Sequence, residues 1–203
     1  MRLTLATMQN ISGRFVRVGS ALAVIYVGII AGASARAEPK ASPKAEVRPV
    51  NMQLTSTAFV DGKEIPGQHT CQGQDMSPPL KWSGVPTGAK SLVLIADDPD
   101  APVGTWVHWV LFDLPPTATE LTENLPKTQH LPGGAKQGLN DFKRLGYGGP
   151  CPPPGKPHRY FFKLYALDAL LDLKPGATKK DVEAAMNGHI LAEGQLMGTY
   201  QRR

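Results

Sequence analysis

Two stretches alternate between apolar and polar or small positions with the period of two that marks a half-buried strand. They are "TWVHWVLFDL" (105–114) and "HRYFFKLYALD" (158–168), both rich in aromatic residues. "SLVLIADD" (91–98) is a short continuous apolar run of the kind a buried strand shows, and "MQLTSTAF" (52–59) alternates weakly. Between these runs, "DGKEIPGQHTCQGQDMSPPLKWSGVPTGAK" (61–90) and most of 115–157 read as turns and loops. Helical spacing appears only late. In "ATKKDVEAAMNGH" (177–189), Thr178 and Asp181 stand at capping-box spacing, and Val182, Ala185, Met186 and His189 follow a 3.6-residue period. "ILAEGQLMGTYQ" (190–201) is expected to form a second helix, weakened by Gly194 and Gly198. The pattern predicts a β-dominated fold with one or two C-terminal helices.

The N-terminal part reads differently. Residues 1–37 hold Arg2, Arg14, Arg17 and Arg36 and no acid, and Val18 to Ala33 is an apolar or small-residue run. Ala35-Arg36-Ala37 has the small-x-small form of a signal-peptidase site, so 1–37 is expected to be a cleaved secretory signal. The apolar run is shorter than the about 20 residues of a membrane span. The alternative is an uncleaved N-terminal anchor. Residues 38–50, "EPKASPKAEVRPV", read as a flexible linker, which leaves 51–203 as one domain. On this division the protein is periplasmic or secreted.

Removing the signal changes the charge. The chain has 22 basic and 17 acidic residues; without the four signal arginines there are 18 against 17, a net charge near +1. That balance offers no basic stripe for nucleic acid. An exported chain with two cysteines, Cys71 and Cys151, favours a disulfide over two separate thiols, and neither has a second cysteine nearby to suggest zinc.

Strict alternation puts Trp106, His108, Val110 and Phe112 on one face of the first aromatic strand, and His158, Tyr160, Phe162 and Leu164 on one face of the second. Each strand thus carries a histidine near its start, behind a loop rich in proline and glycine. If the strands are neighbours, His108, His158 and Tyr160 converge at one end of the sheet. Two imidazoles and a phenol supply directional donors suited to a small oxyanion, and Asp98 or Asp100 is placed to take the N–H of one imidazole and fix its tautomer. The plain alternative is a hydrogen-bonded core histidine on each strand. A metal site of two histidines and a carboxylate is a second alternative, although the tight spacings of common zinc motifs are absent. No G-x-S-x-G marks a nucleophile.

"SPPLKWSGVP" (77–86), "DDPDAPVGTWVHWVLFDLP" (97–115), "GLNDF" (138–142), "GYGGPCPPPGKPHRYFFKLYALD" (146–168) and "ILAEGQLMGTYQR" (190–202) together resemble the phosphatidylethanolamine-binding protein family, and most closely its bacterial Raf-kinase-inhibitor-like branch. The resemblance implies a central antiparallel sheet packed with a second, smaller sheet and flanked by C-terminal helices. It also implies a small cavity for phosphate-type anions or phospholipid head groups. Matched by motif, Asp98, Trp106, His108, His158 and Tyr160 would line this cavity, and Gly149, Pro150 and Pro152 would form its loop wall. Ala101-Pro102 is a candidate cis bond on the same ground. The chain departs from eukaryotic relatives at Val107, where they carry a second histidine, and in the short Val103-Gly104-Thr105 link, so their kinase-binding surface does not carry over. The expected function is that of a non-enzymatic binding protein without cofactor or metal. Its partners would be a small anion or lipid head group, with a peripheral membrane contact, and not nucleic acid. An inhibitor of an extracellular protease or other hydrolase, acting through its surface, is the alternative.

Overall fold

The structure is a computed structural model that describes residues 50–203. The expected signal sequence, 1–37, and all of the expected linker but Val50 lie outside the described residues. Ten elements follow in chain order: β1 (Val50–Asn51), β2 (Gln53–Thr55), β3 (Leu80–Ser83), β4 (Ser91–Asp98), β5 (Trp106–Leu114), β6 (Glu120–Leu121), β7 (Lys136–Gln137), β8 (His158–Leu167), α1 (Lys179–Met186) and β9 (Ile190–Tyr200). They form a six-stranded sheet of order β1-β9-β8-β4-β5-β7 and a three-stranded sheet of order β2-β3-β6. All pairings are antiparallel except β1 with β9 at one edge.

The large sheet buries both faces, which explains why "SLVLIADD" is a continuous apolar run rather than an alternating one. One face meets the small sheet, where Leu94, Trp109, Phe162 and Leu196 pack with Leu54 and Trp82. The other face lies under α1, where Val93, Ile95, Val110 and Phe112 pack with Val182 and Met186. The predicted capping box is present: the Thr178 hydroxyl accepts from the Asp181 N–H, and the Asp181 carboxylate accepts from the Thr178 N–H. Among the described residues no helix is long and apolar enough to cross a membrane.

Three expectations are corrected. The 190–201 segment is the strand β9, not a second helix. Its glycines are there for close approach: a Cβ on Gly194 would lie 2.6 Å from the Met52 carbonyl oxygen, and one on Gly198 would lie 2.5 Å from the Ile65 side chain. β3 lies inside the 61–90 segment read as loop, held by pairing to β2 and β6 rather than by its own short pattern. The Ala101–Pro102 bond is trans. Gly104 N–H donates to the Ala101 carbonyl, so Pro102 takes the second position of a four-residue turn, where a trans proline fits.

Candidate functional site

β4 lies between β5 and β8, so the two histidine-bearing strands are not neighbours; each pairs with β4. That places Asp98, the last residue of β4, between the two histidines. Its Oδ2 accepts from His158 Nδ1–H at 2.8 Å, while its Oδ1 accepts from the Asp100 N–H at 2.8 Å. Asp98 and His158 are both buried. The acids before the strand therefore orient the histidine of β8, not the one that follows them in sequence. Asp100 instead forms a bidentate pair with the Arg159 guanidinium, which holds its carboxyl down at about 2. Asp97 points to the opposite face and takes the ammonium groups of Lys163 and Lys179.

His108 owes its position to an irregularity in the ladder. Ala96 pairs with Trp109 and Asp97 with Val107, so His108 is the extra residue of a β-bulge. The bulge breaks the alternation. Trp106 and His108 share a face, as expected, but Val110 and Phe112 turn to the α1 side while Trp109 packs between the sheets. The His108 ring lies edge-on to Tyr160, with centroids 5.1 Å apart, and edge-on to Phe142 at 5.4 Å. Gly148 clamps it twice: the His108 Nδ1–H donates to the Gly148 carbonyl at 2.6 Å, and the Gly148 N–H donates to the His108 carbonyl at 2.9 Å. Burial lowers the pKa of His108, against the opposing pull of the Gly148 carbonyl and of Asp98, Asp97 and Asp75.

These groups border a cavity of about 220 Å³. Asp98, His108 and His158 supply its polar lining, and Ala101, Pro102, Val103, Trp106, Phe142, Cys151, Pro152 and Pro153 the rest. The volume falls below the about 300–1,000 Å³ of sites for drug-sized ligands, so it suits a small ligand or a head group. Of the expected loop wall only Pro152 lines the cavity. Gly149 and Pro150 do not, because their backbone bonds run to the other side: Gly149 N–H donates to Asp75, and the Pro150 carbonyl accepts from the Cys71 N–H. A Cβ on Gly149 would meet the His69 carbonyl oxygen at 2.4 Å, so this approach requires glycine. Cys151 and Pro153 take over the wall, and Cys151 is bonded to Cys71, with Cα atoms 5.4 Å apart.

Tyr160 does not line the cavity but sits behind it against His108. Its hydroxyl is buried and, among the described residues, is the one sealed side-chain polar atom without a hydrogen-bond partner. Burial first, and then the neighbouring Asp98 carboxylate, push its phenol well above the usual range. The reading from sequence missed Phe142, which stacks on both Trp106 and His108, and Gly148, the acceptor that sets the His108 tautomer. "GLNDF" was a recognisable motif, but nothing local to it says that its phenylalanine reaches a histidine 34 positions away. Among the described residues no group of three or more His, Cys, Asp or Glu side chains has the geometry to hold a metal ion.

The sequence model of the family described as Phosphatidylethanolamine-binding protein matches residues 55–201. A UPF0098 protein of Methanothermobacter thermautotrophicus is 58% identical over 151 residues, covering 74% of this chain and 99% of that protein. One from Aquifex aeolicus is 54% identical, covering 74% and 89%. Two crystal structures match the fold. The phosphatidylethanolamine-binding protein homolog CT736 of Chlamydia trachomatis is 46% identical with a TM-score of 0.69. Escherichia coli YbcL, described as a new member of the mammalian family, is 36% identical with a TM-score of 0.71. Each is covered to 99% by alignment to 75% of this chain.

Proposed function

Because the chain belongs to the phosphatidylethanolamine-binding protein family, we propose that it is an exported, non-enzymatic binding protein whose cavity takes a phosphate-type anion, free or as a lipid head group. The observation that carries this reading is the Asp98–His158 pair facing the Gly148-clamped His108 across a small cavity. The Cys71–Cys151 bond favours an oxidising compartment.

Titration of the purified protein with phosphate and phosphoethanolamine, followed at the His108 and His158 ring signals by NMR, tests the pocket. Saturable shifts at both rings are expected, with the His108 shift lost in His158→Ala. Silence at millimolar anion would remove the pocket reading and leave the surface as the place to look for a partner. Export is tested separately: the N-terminus of the secreted form should be Glu38, and an intact Met1 would mean an anchor.

A further inference from the structure

His108 has one ring nitrogen committed. A carbonyl oxygen can only accept, so the 2.6 Å contact with Gly148 requires the proton on Nδ1. Among the described residues the Nε2 atom has no hydrogen-bond partner, and it is not sealed from solvent, since Tyr160 holds the one sealed and unpartnered side-chain polar atom there. His108 lines the cavity, so Nε2 is the atom it exposes there. In the neutral ring that atom carries a lone pair. It offers a ligand an acceptor and not a donor.

The surroundings keep the ring in that state. On β4, Asp98 and Asp97 pull toward protonation, and Asp75 does so from its loop. On β8, Tyr160 meets the ring edge-on, and His158 is held by the same Asp98 carboxylate. Phe142 closes the other side with an apolar edge. Burial outweighs the three carboxylates, so the net direction favours the neutral imidazole.

We propose that His108 makes the cavity selective for an oxyanion that brings its own proton, which it accepts at Nε2. Inorganic phosphate carries a P–OH in both forms present near neutral pH. Sulfate and phosphodiesters carry none, and turn only lone pairs toward a lone pair. This rests on the phosphate-type reading of the cavity and narrows it: phosphate itself is favoured over the diester of a phospholipid. The selectivity comes from a hydrogen bond that the wrong ligand leaves unmade at a desolvated acceptor.

A panel matched in charge tests it on the full exported protein. Dimethyl phosphate shares the charge of dihydrogen phosphate, and sulfate that of hydrogen phosphate. At pH 7.5, phosphate is expected to bind about fivefold tighter or more than either competitor, the low end for an unmade hydrogen bond of this kind. Once pH falls through the lowered His108 value the gap should narrow, as protonation turns Nε2 into a donor that sulfate and the diester can use. Equal affinity for all three at pH 7.5 would overturn the selectivity and leave the anion pocket standing. Binding by none of them would overturn both. A free-protein imidazole nitrogen spectrum placing the His108 proton on Nε2 would also overturn the proposal, before any ligand is added.

Discussion

Asp98 Oδ2 and His158 Nδ1 meet at 2.8 Å, although 60 positions separate them in sequence. The contact joins the last residue of β4 to the first of β8, and it decides which nitrogen of His158 remains for a ligand. Asp98→Asn keeps the shape but can reverse the bond, since an amide N–H would donate to Nδ1 and drive the proton to Nε2. Losing a buried hydrogen bond to a charged group costs about 1.5–3 kcal/mol. We expect stability at pH 7 to fall by up to that amount, read by denaturant unfolding, and phosphate affinity to rise, read by titration, because the variant removes a carboxylate beside the anion and turns His158 Nε2 into a donor. An unchanged affinity would mean that neither the Asp98 charge nor the His158 tautomer acts on the ligand.

The lowered pKa of His108 predicts a pH dependence with a definite sign. Below the ordinary histidine value near 6.5 the unfolded chain takes up a proton that the folded ring resists, so the unfolded state binds more protons. Stability contributed by this group is therefore full above pH 6.5 and declines as pH falls toward the lower folded value. Replacing His108 with Gln should flatten that part of the curve. Denaturant midpoints between pH 8 and pH 5 check it, and equal slopes in the two proteins would refute it. The Asp100–Arg159 pair acts lower down. Its contribution is present above about pH 4 and is lost as pH falls toward 2. Because Arg159 is exposed, solvent screens the pair and its contribution is small.

The reach of the sequence differs from strand to strand. β8 follows its pattern: His158, Tyr160, Phe162 and Leu164 are buried on one face, while Arg159, Phe161 and Lys163 are more open. β5 does not, because its bulge exists only in the pairing with β4, and no local feature of "TWVHWVLF" announces that one residue will be skipped. The same holds for β9. Gly194 and Gly198 look like weak points of a helix, yet their lack of a side chain is what lets Met52 and Ile65 approach the strand. His158 was legible because the alternation of β8 is local, whereas His108 takes its place through the β5 bulge. The loop wall was not legible, because which face of 148–153 meets the cavity depends on Asp75 and Cys71, far off in sequence.

Asp97 tests the opposite face of the same strand. Its carboxylate is 1% exposed and is held by both Lys163 and Lys179. Removing one partner leaves the other, so Lys179→Met is expected to cost less than Asp97→Ala, which leaves two partly buried ammonium groups facing each other. Breaking a buried ion pair from one side typically costs about 3–5 kcal/mol. Because the lysines keep some contact with water, Asp97→Ala is put nearer about 2–3 kcal/mol. Phosphate affinity should stay within about twofold, because Asp97 faces away from the cavity. A large loss of binding with little loss of stability would contradict this division of the two faces.

The Cys71–Cys151 bond links stability to the pocket wall. It closes a loop with a sequence separation of 80, for which the chain-entropy account gives about 4.5 kcal/mol of stabilisation at most. Cys151 also lines the cavity beside Pro152 and Pro153, and the Cys71 N–H holds the Pro150 carbonyl. Two backbone bonds, at Pro150 and Gly149, would still anchor the loop after reduction. The double variant Cys71→Ser, Cys151→Ser should therefore fold, with a lower denaturant midpoint and a several-fold weaker affinity for phosphate. His108 should keep its tautomer, because Gly148 is held by the β5 backbone and not by the disulfide. If the variant loses stability but binds phosphate as tightly as the parent, the bond braces the fold alone and the wall at Cys151 contributes nothing to the ligand.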